Sequence, residues 1–160
     1  MHYFCSLAVV LVAVGCNGDR LAKLEAQNEK LKAQLKQQQT ATNLDLQAKC
    51  AKQAVEIFNA SGYKEGPASY TNHYNTKLNK CFVAMYNHNY GGRDVARIDR
   101  FLYDAFERTN YAAYRWMNDD TKSSSEGKPW LCQVTIASGE VKVCKFSEEF
   151  DELIKPYMEQ

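Results

Sequence analysis

The sequence predicts an α+β fold: antiparallel β-hairpins packed with an N-terminal and a C-terminal helix, preceded by a helical or coiled-coil stalk. Three observations lead there. An apolar stripe at helical spacing, Leu46, Cys50, Ala54, Ile57 and Phe58, leads into the part of the chain where most of the ten tyrosines, seven phenylalanines and two tryptophans lie. That aromatic density favours strands with an aromatic face. A second helical stripe, Phe150, Leu153, Ile154 and Tyr157, closes the chain, and the order helix, strands, helix is that of an antiparallel sheet with helices laid on it.

The first element is a short apolar run. Phe4 to Val14 is apolar throughout except Ser6, which is too short for the about 20 residues of a membrane-crossing helix and suits the apolar middle of a secretory leader. Gly15 then precedes Cys16, with Ala13 three positions before the cysteine. This arrangement resembles the lipobox of bacterial lipoproteins. It departs from that pattern in carrying Ala13 where leucine is commoner, and in having only His2 and the terminal amine as positive charge ahead of the run. The resemblance implies a signal peptide over 1–15, cleavage before Cys16, and a lipidated N-terminus over 16–20 with the lipid on Cys16. Because Asn17 is not aspartate, it also implies retention at the outer membrane, facing the periplasm. An uncleaved anchor or an ordinary secretory leader is the alternative.

Beyond Cys16, Leu21, Leu24, Asn28, Leu31 and Leu35 recur at alternating steps of three and four. These are the a and d positions of a coiled coil, and lysine and glutamate fill much of the remainder. Asn28 takes an a position, where a buried polar side chain costs stability yet sets register and favours a parallel dimer. The pattern covers fewer than three heptads, and isolated helices of that length are marginal in water. Residues 21–39 therefore read either as a spacer helix or as the stalk of a homodimer. A linker at 40–44 is expected next, because Thr42 with Asp45 three residues later matches a capping box ahead of the apolar stripe. Gly62 is the expected stop of the helix that follows.

Residues 45–160 read as one disulfide-stapled domain. The stretch "ASYTNHYNTKLNKCFVAMYNH" predicts a hairpin turning at Lys77, Leu78 and Asn79, with Asn79 tolerating a left-handed backbone. Cys81, Val83 and Met85 share its buried face. From Val95 to Met117 the residues Ile98, Phe101, Leu102, Ala105 and Phe106 fit a helical stripe as well as a strand, but the polar "ERTN" between "LYDAF" and "YAAYRW" suits a second hairpin. "NDDTKSSSEGKP" is a polar loop. In "CQVTIASGEVKVC" the residues Val134, Ile136, Val141 and Val143 alternate around Ala137, Ser138 and Gly139, a three-residue loop whose glycine takes the left-handed position. Ser147 is expected to cap the final helix, with Glu148 and Glu149 in its first turn.

The chain has six cysteines. Loss of Cys5 with the leader and lipidation of Cys16 leave Cys50, Cys81, Cys132 and Cys144, and an even set in an exported protein reads as disulfides. The last hairpin sets Cys132 opposite Cys144, which leaves Cys50 for Cys81. Zinc is the rival reading, against which stand the absence of a C-x-x-C pair and the distance of His73 and His88 from any cysteine in the sequence. The stretches "SYTNHYNTKLNKCFV", "LYDAF" and "CKFSEEFDEL" resemble a set of small exported bacterial proteins with no assigned activity. That likeness spans about Cys50 to Met158, implies one compact domain and carries no catalytic motif.

A formal net charge of +1, with Arg93, Arg97 and Arg100 interleaved with Asp94 and Asp99, describes a mixed solvated face rather than a nucleic-acid surface. No nucleophile elbow, zincin motif or phosphate loop is present. The predicted hairpin separates His73 from His88 by roughly 13–17 Å, too far to share one ion. Asp94, Asp99, Asp104 and Glu107 supply carboxylate pairs of the kind glycosidases use, as would any surface of this composition. No metal or cofactor is implied. Tyr86, Tyr90, Tyr111, Tyr114 and Trp116 are the candidate binding surface, able to stack on a sugar or form a protein interface. The expected function is that of an envelope-anchored lipoprotein, not an enzyme. It would act as a binding or interaction module in the periplasm or at the cell surface, with an envelope protein or glycan as partner. The alternative is a small periplasmic hydrolase or ligand-binding enzyme acting on cell-wall material.

Overall fold

The computed structural model describes residues 5–63, 67–91, 95–118 and 128–159, with side chains from Gly18 onward except at Tyr90, Gly91 and Val95. Most of the polar loop expected between 118 and 129 lies outside the described residues, as do Arg93 and Asp94. The chain divides into two compact units between Asn43 and Leu44. Helix α1 spans Cys5–Ala60, so the linker expected at 40–44 is helical. The physical reason is visible in the side chains: no glycine or proline interrupts residues 19–60, and Thr42 does not turn outward as a cap. Its hydroxyl donates back to the Gln38 carbonyl at 3.0 Å, as the Thr40 hydroxyl does to Lys36 at 2.9 Å, the i−4 bonding open to threonine inside a helix. In the first unit Leu21, Leu24, Leu31 and Leu35 are 54–67% exposed.

The second unit is a six-stranded sheet with a helix on each face. The strands are β1 (Ala68–Asn75), β2 (Lys80–Gly91), β3 (Val95–Asp104), β4 (Thr109–Met117), β5 (Leu131–Thr135) and β6 (Val141–Val143), followed by helix α2 (Ser147–Met158). They lie in sequence order, each antiparallel to the next. The segment from Val95 to Met117 is therefore the second hairpin, and the fold is α+β.

Local chemistry sets the turns. Asn79 (φ 53°), Arg108 (φ 56°) and Gly139 (φ 85°) hold the left-handed positions that let tight loops match strand twist. Asn75 and Asp104 do parallel work at the first two turns. The Asn75 Oδ1 accepts from the Lys77 and Leu78 amides, and the Asp104 Oδ1 from those of Phe106 and Glu107. Asn75 also donates through Nδ2 to the Pro156 carbonyl at 3.0 Å, tying the first hairpin to the end of α2.

Strand alternation sends two apolar sets to opposite faces. One face carries Phe82, Leu102, Ala112, Tyr114, Trp116, Cys132 and Val134, packed under Phe150, Ile154 and Tyr157 of α2. Between Leu102 and Tyr103 the β3–β4 register shifts, so that Tyr111 has no partner in the ladder and packs on Phe82 and Tyr157 on this same face. The other face carries Tyr74, Cys81, Val83, Met85, Phe101 and Ala113, covered by Cys50, Ala54, Leu46, Ile57 and Phe58 of α1. Both stripes expected of the helices are thus the ones that dock.

Each layer is stapled by a disulfide. Cys50 is bonded to Cys81 with Cα atoms 5.3 Å apart, and Cys132 to Cys144 with Cα atoms 5.1 Å apart. The start of α2 differs from expectation. Phe146 occupies the cap position without a side-chain bond, and Glu149 reaches back to accept from the Lys145 amide at 2.7 Å. The Ser147 hydroxyl accepts instead from Arg100, whose guanidinium also pairs with Asp151 and lies over Phe150. Ser147 is drawn off the capping role because a cation on β3 stands beside it.

Candidate interaction surface

The α1-facing side of the sheet is covered unevenly. By register, the side chains that β4, β5 and β6 present there are Ala113, Arg115 and Met117, then Leu131, Gln133 and Thr135, then Val141 and Val143. Met117 is 46% exposed, Val141 55% and Val143 80%. Trp130, 59% exposed, belongs to the same region. Its ring lies 5.6 Å from the Arg115 guanidinium, which also lies 5.3 Å from the Phe101 ring.

Arg115 is itself held from below. Asp99, 2% exposed on β3, receives Arg97 at 2.8 Å and Arg115 at 3.3 Å. A buried carboxylate remains charged only with such partners, and here the two arginines extend outward from it to about a third exposure or more. The contacts run in sequence: Asp99 forms an ion pair with Arg115, the Arg115 guanidinium lies by the Trp130 ring, and the Trp130 amide donates to the Arg115 carbonyl at 3.1 Å. A large aromatic ring is therefore presented to solvent beside a guanidinium that is itself paired with a buried carboxylate, and tryptophan is among the residue types enriched at interface hot spots. Tyr63 lies near the cluster, and burial first, then the Asp99 charge, holds its phenol above the usual value.

The aromatic residues expected to bind are arranged differently. Tyr114 (5% exposed) and Trp116 (2%) are core residues under α2 and cannot stack on a ligand. Their positions alternate with Ala113 and Arg115, and the face given to the aromatic pair is the one that α2 closes. Tyr111 packs edge-on against Phe82 and Tyr157, with Lys80 5.7 Å from its ring. Tyr86 is half-buried beside His88. The Tyr90 side chain lies outside the described residues, and Cys16 carries no described side chain. Trp130 was not among the expected residues. Strict alternation from Cys132 and Val134 would turn it toward α2, but it precedes β5, directly after Pro129, and its ring falls on Arg115 instead.

Residues that could do acid–base or metal chemistry are kept apart. His73 pairs with Phe82, and His88 lies six register positions further along β2, roughly 20 Å away. Asp99 and Asp104 point to opposite faces of β3. Asp104 is buried at the turn with Lys80 at 2.8 Å, and Glu107 reaches the same ammonium at 2.6 Å. Burial alone would lower the Lys80 pKa, and the bonds to Asp104, Glu107 and Tyr111 more than offset this, so the amine is held above its usual value. A groove of about 710 Å³ beside the β1–β2 turn has Leu78, Ile136, Leu153 and Tyr157 in its lining. Neither histidine lines it. Among the described residues no group of three or more His, Cys, Asp or Glu side chains converges as a metal site would require, and no helix is long and apolar enough to cross a membrane.

No family model, no curated protein and no solved structure matches this chain.

Proposed function

We propose that the chain is an envelope-anchored lipoprotein, held through Cys16 at the outer membrane and acting as an interaction module toward another envelope protein. The observation that carries this reading is the Trp130 ring, exposed and lying by the Arg115 guanidinium, which pairs with the buried Asp99. Met117, Val141 and Val143 are further exposed apolar side chains on the same face of the sheet, and exposed apolar surface is a mark of protein–protein contact. Two disulfides and a helix on each face make the support rigid, as suits a protein working outside the reducing cytoplasm.

The test pairs fractionation with capture. Cys16→Ala is expected to move the protein from the membrane to the soluble fraction. Crosslinked capture from envelope extract is then compared for the wild-type chain, Trp130→Ala and Val55→Ala, the last altering an exposed apolar residue on α1. Loss of a protein partner with Trp130→Ala, by roughly 30-fold in affinity if the ring is an interface anchor, and its retention with Val55→Ala, supports the reading. Equal capture by all three, retention of glycan alone, or turnover of a cell-wall substrate by the purified protein overturns it.

A further inference from the structure

We infer that residues 21–39 of α1 are one half of a parallel, in-register coiled coil, and that the partner is a second copy of this chain. Leu21, Leu24, Leu31 and Leu35 stand on one edge of α1 and are more than half exposed. With Asn28 they fill successive a and d positions, and the residues at the flanking positions decide what a partner must look like.

In a parallel pair each g residue meets the e residue five places on in the partner. Arg20 then meets Glu25 of the other copy, Gln27 meets Lys32, and Gln34 meets Gln39. One contact is attractive and none sets like charges together. Asn28 meets the other copy's Asn28, so each side-chain amide finds a donor and an acceptor within the seam. An antiparallel pair would also bring one favourable contact, Glu25 with Lys32. It would, however, place Asn28 against Leu31 and leave a desolvated amide without a partner, a cost of about 1–3 kcal/mol. The polar a position thus discriminates where the charges do not. Copies confined to one membrane, a condition that rests on the lipid-anchor reading, would share orientation and a high effective concentration, both of which favour a short parallel seam.

The full-length chain in cell membranes provides the experiment. Leu31→Cys places a thiol in the seam, and Ala33→Cys places one on the outer side of the same helix. Under mild oxidation Leu31→Cys is expected to shift to a two-chain band in non-reducing gels, while Ala33→Cys stays as a single chain. Peptide mapping confirms that Cys50–Cys81 and Cys132–Cys144 remain intact. Coexpressed Leu24→Cys and Leu35→Cys chains distinguish direction: a parallel pair joins like with like, whereas an antiparallel pair joins the two variants to each other. No two-chain band from Leu31→Cys, equal bands from Leu31→Cys and Ala33→Cys, or preferential joining of Leu24→Cys to Leu35→Cys overturns the inference. The fractionation of Cys16→Ala reads the anchor separately, so failure of one does not mimic failure of the other.

Discussion

Along the α1-facing side of the sheet, β1 to β3 present Tyr70, Tyr74, Cys81, Val83, Met85, Phe101 and Tyr103, and a helix lies on them. The next three strands present Ala113, Arg115 and Met117, then Leu131, Gln133 and Thr135, then two valines on the same side, with Val141 and Val143 left more than half exposed. The difference lies in the thickness and polarity of the bed. Large side chains on β1 to β3 fill the space beneath Ala54 and Ile57, whereas on β4 and β5 the apolar Ala113, Met117 and Leu131 alternate across the ladder with Arg115, Gln133 and Thr135, so no continuous apolar bed forms. A sheet face partly open to water is ordinary in an antiparallel sheet. What is unusual is that Arg115 on this open side, paired with the buried Asp99 of β3, lies beside a tryptophan rather than merely meeting water.

The most disruptive way to test this contrast is to remove the staple from the covered half. Cys50→Ala with Cys81→Ala frees a linkage across 31 residues, and the chain-entropy model puts the loss at roughly 3–4 kcal/mol. Removing Cys132 and Cys144, 12 residues apart, should cost about 3 kcal/mol by the same relation and also loosen the hairpin that carries Val141 and Val143. Urea unfolding of the two double variants should preserve that order. A larger loss from the second pair would show that the open half depends on its disulfide more than the covered half does.

Asp99→Asn comes next. It leaves Arg97 and Arg115 without their shared carboxylate, and about 2 kcal/mol of stability should go with it. Fluorescence should show the Trp130 ring released from Arg115 as a shift in emission, with the buried Trp116 as the unchanged background. If stability falls while emission does not move, the ring is held by something other than the Asp99–Arg115 stack.

Alkaline titration addresses the α2-facing layer. Burial raises the phenol pKa values of Tyr114 and Tyr157, and Lys80 is raised by its carboxylate partners despite burial. Each group gains its proton more firmly in the folded state, so the corresponding stability is fully present below the ordinary values of about 10 for tyrosine and about 10.4 for lysine, and is lost as pH rises beyond them. Thermal melts should therefore decline above that range. Ultraviolet titration should show Tyr114 and Tyr157 ionising later than exposed phenols.

The smallest effect is expected at the turn joining the covered and open halves. Arg108 holds φ 56°, a strained position for a residue with a Cβ, and Arg108→Gly should stabilise by about 0.5 kcal/mol once glycine's own entropy is set against the relief. Asn79→Gly at the first turn should change little, because asparagine tolerates φ 53°. Equal gains at both turns would mean that Arg108 carries no special strain.

Several features follow from the sequence because their causes are local. Asn79 and Gly139 mark turns through the backbone angles they tolerate, Gly62 (φ 78°) stops α1 in the same way, and the spacing of Cys132 and Cys144 around a three-residue loop leaves one partner each for Cys50 and Cys81. Leu46 to Phe58 and Phe150 to Tyr157 show their docking stripes through a 3.6-residue period alone. Tertiary structure decided the rest. Thr42 and Ser147 look like caps in sequence, yet Thr42 bonds backward inside an unbroken helix and Ser147 bonds to Arg100 from another strand. Alternation divides β4 into an aromatic side and an alanine–arginine side, but which side meets a helix depends on where α2 crosses the sheet. That crossing buries Tyr114 and Trp116, and Trp130 becomes the exposed ring because Asp99 and Arg115, 16 residues apart in the chain, are paired across two strands.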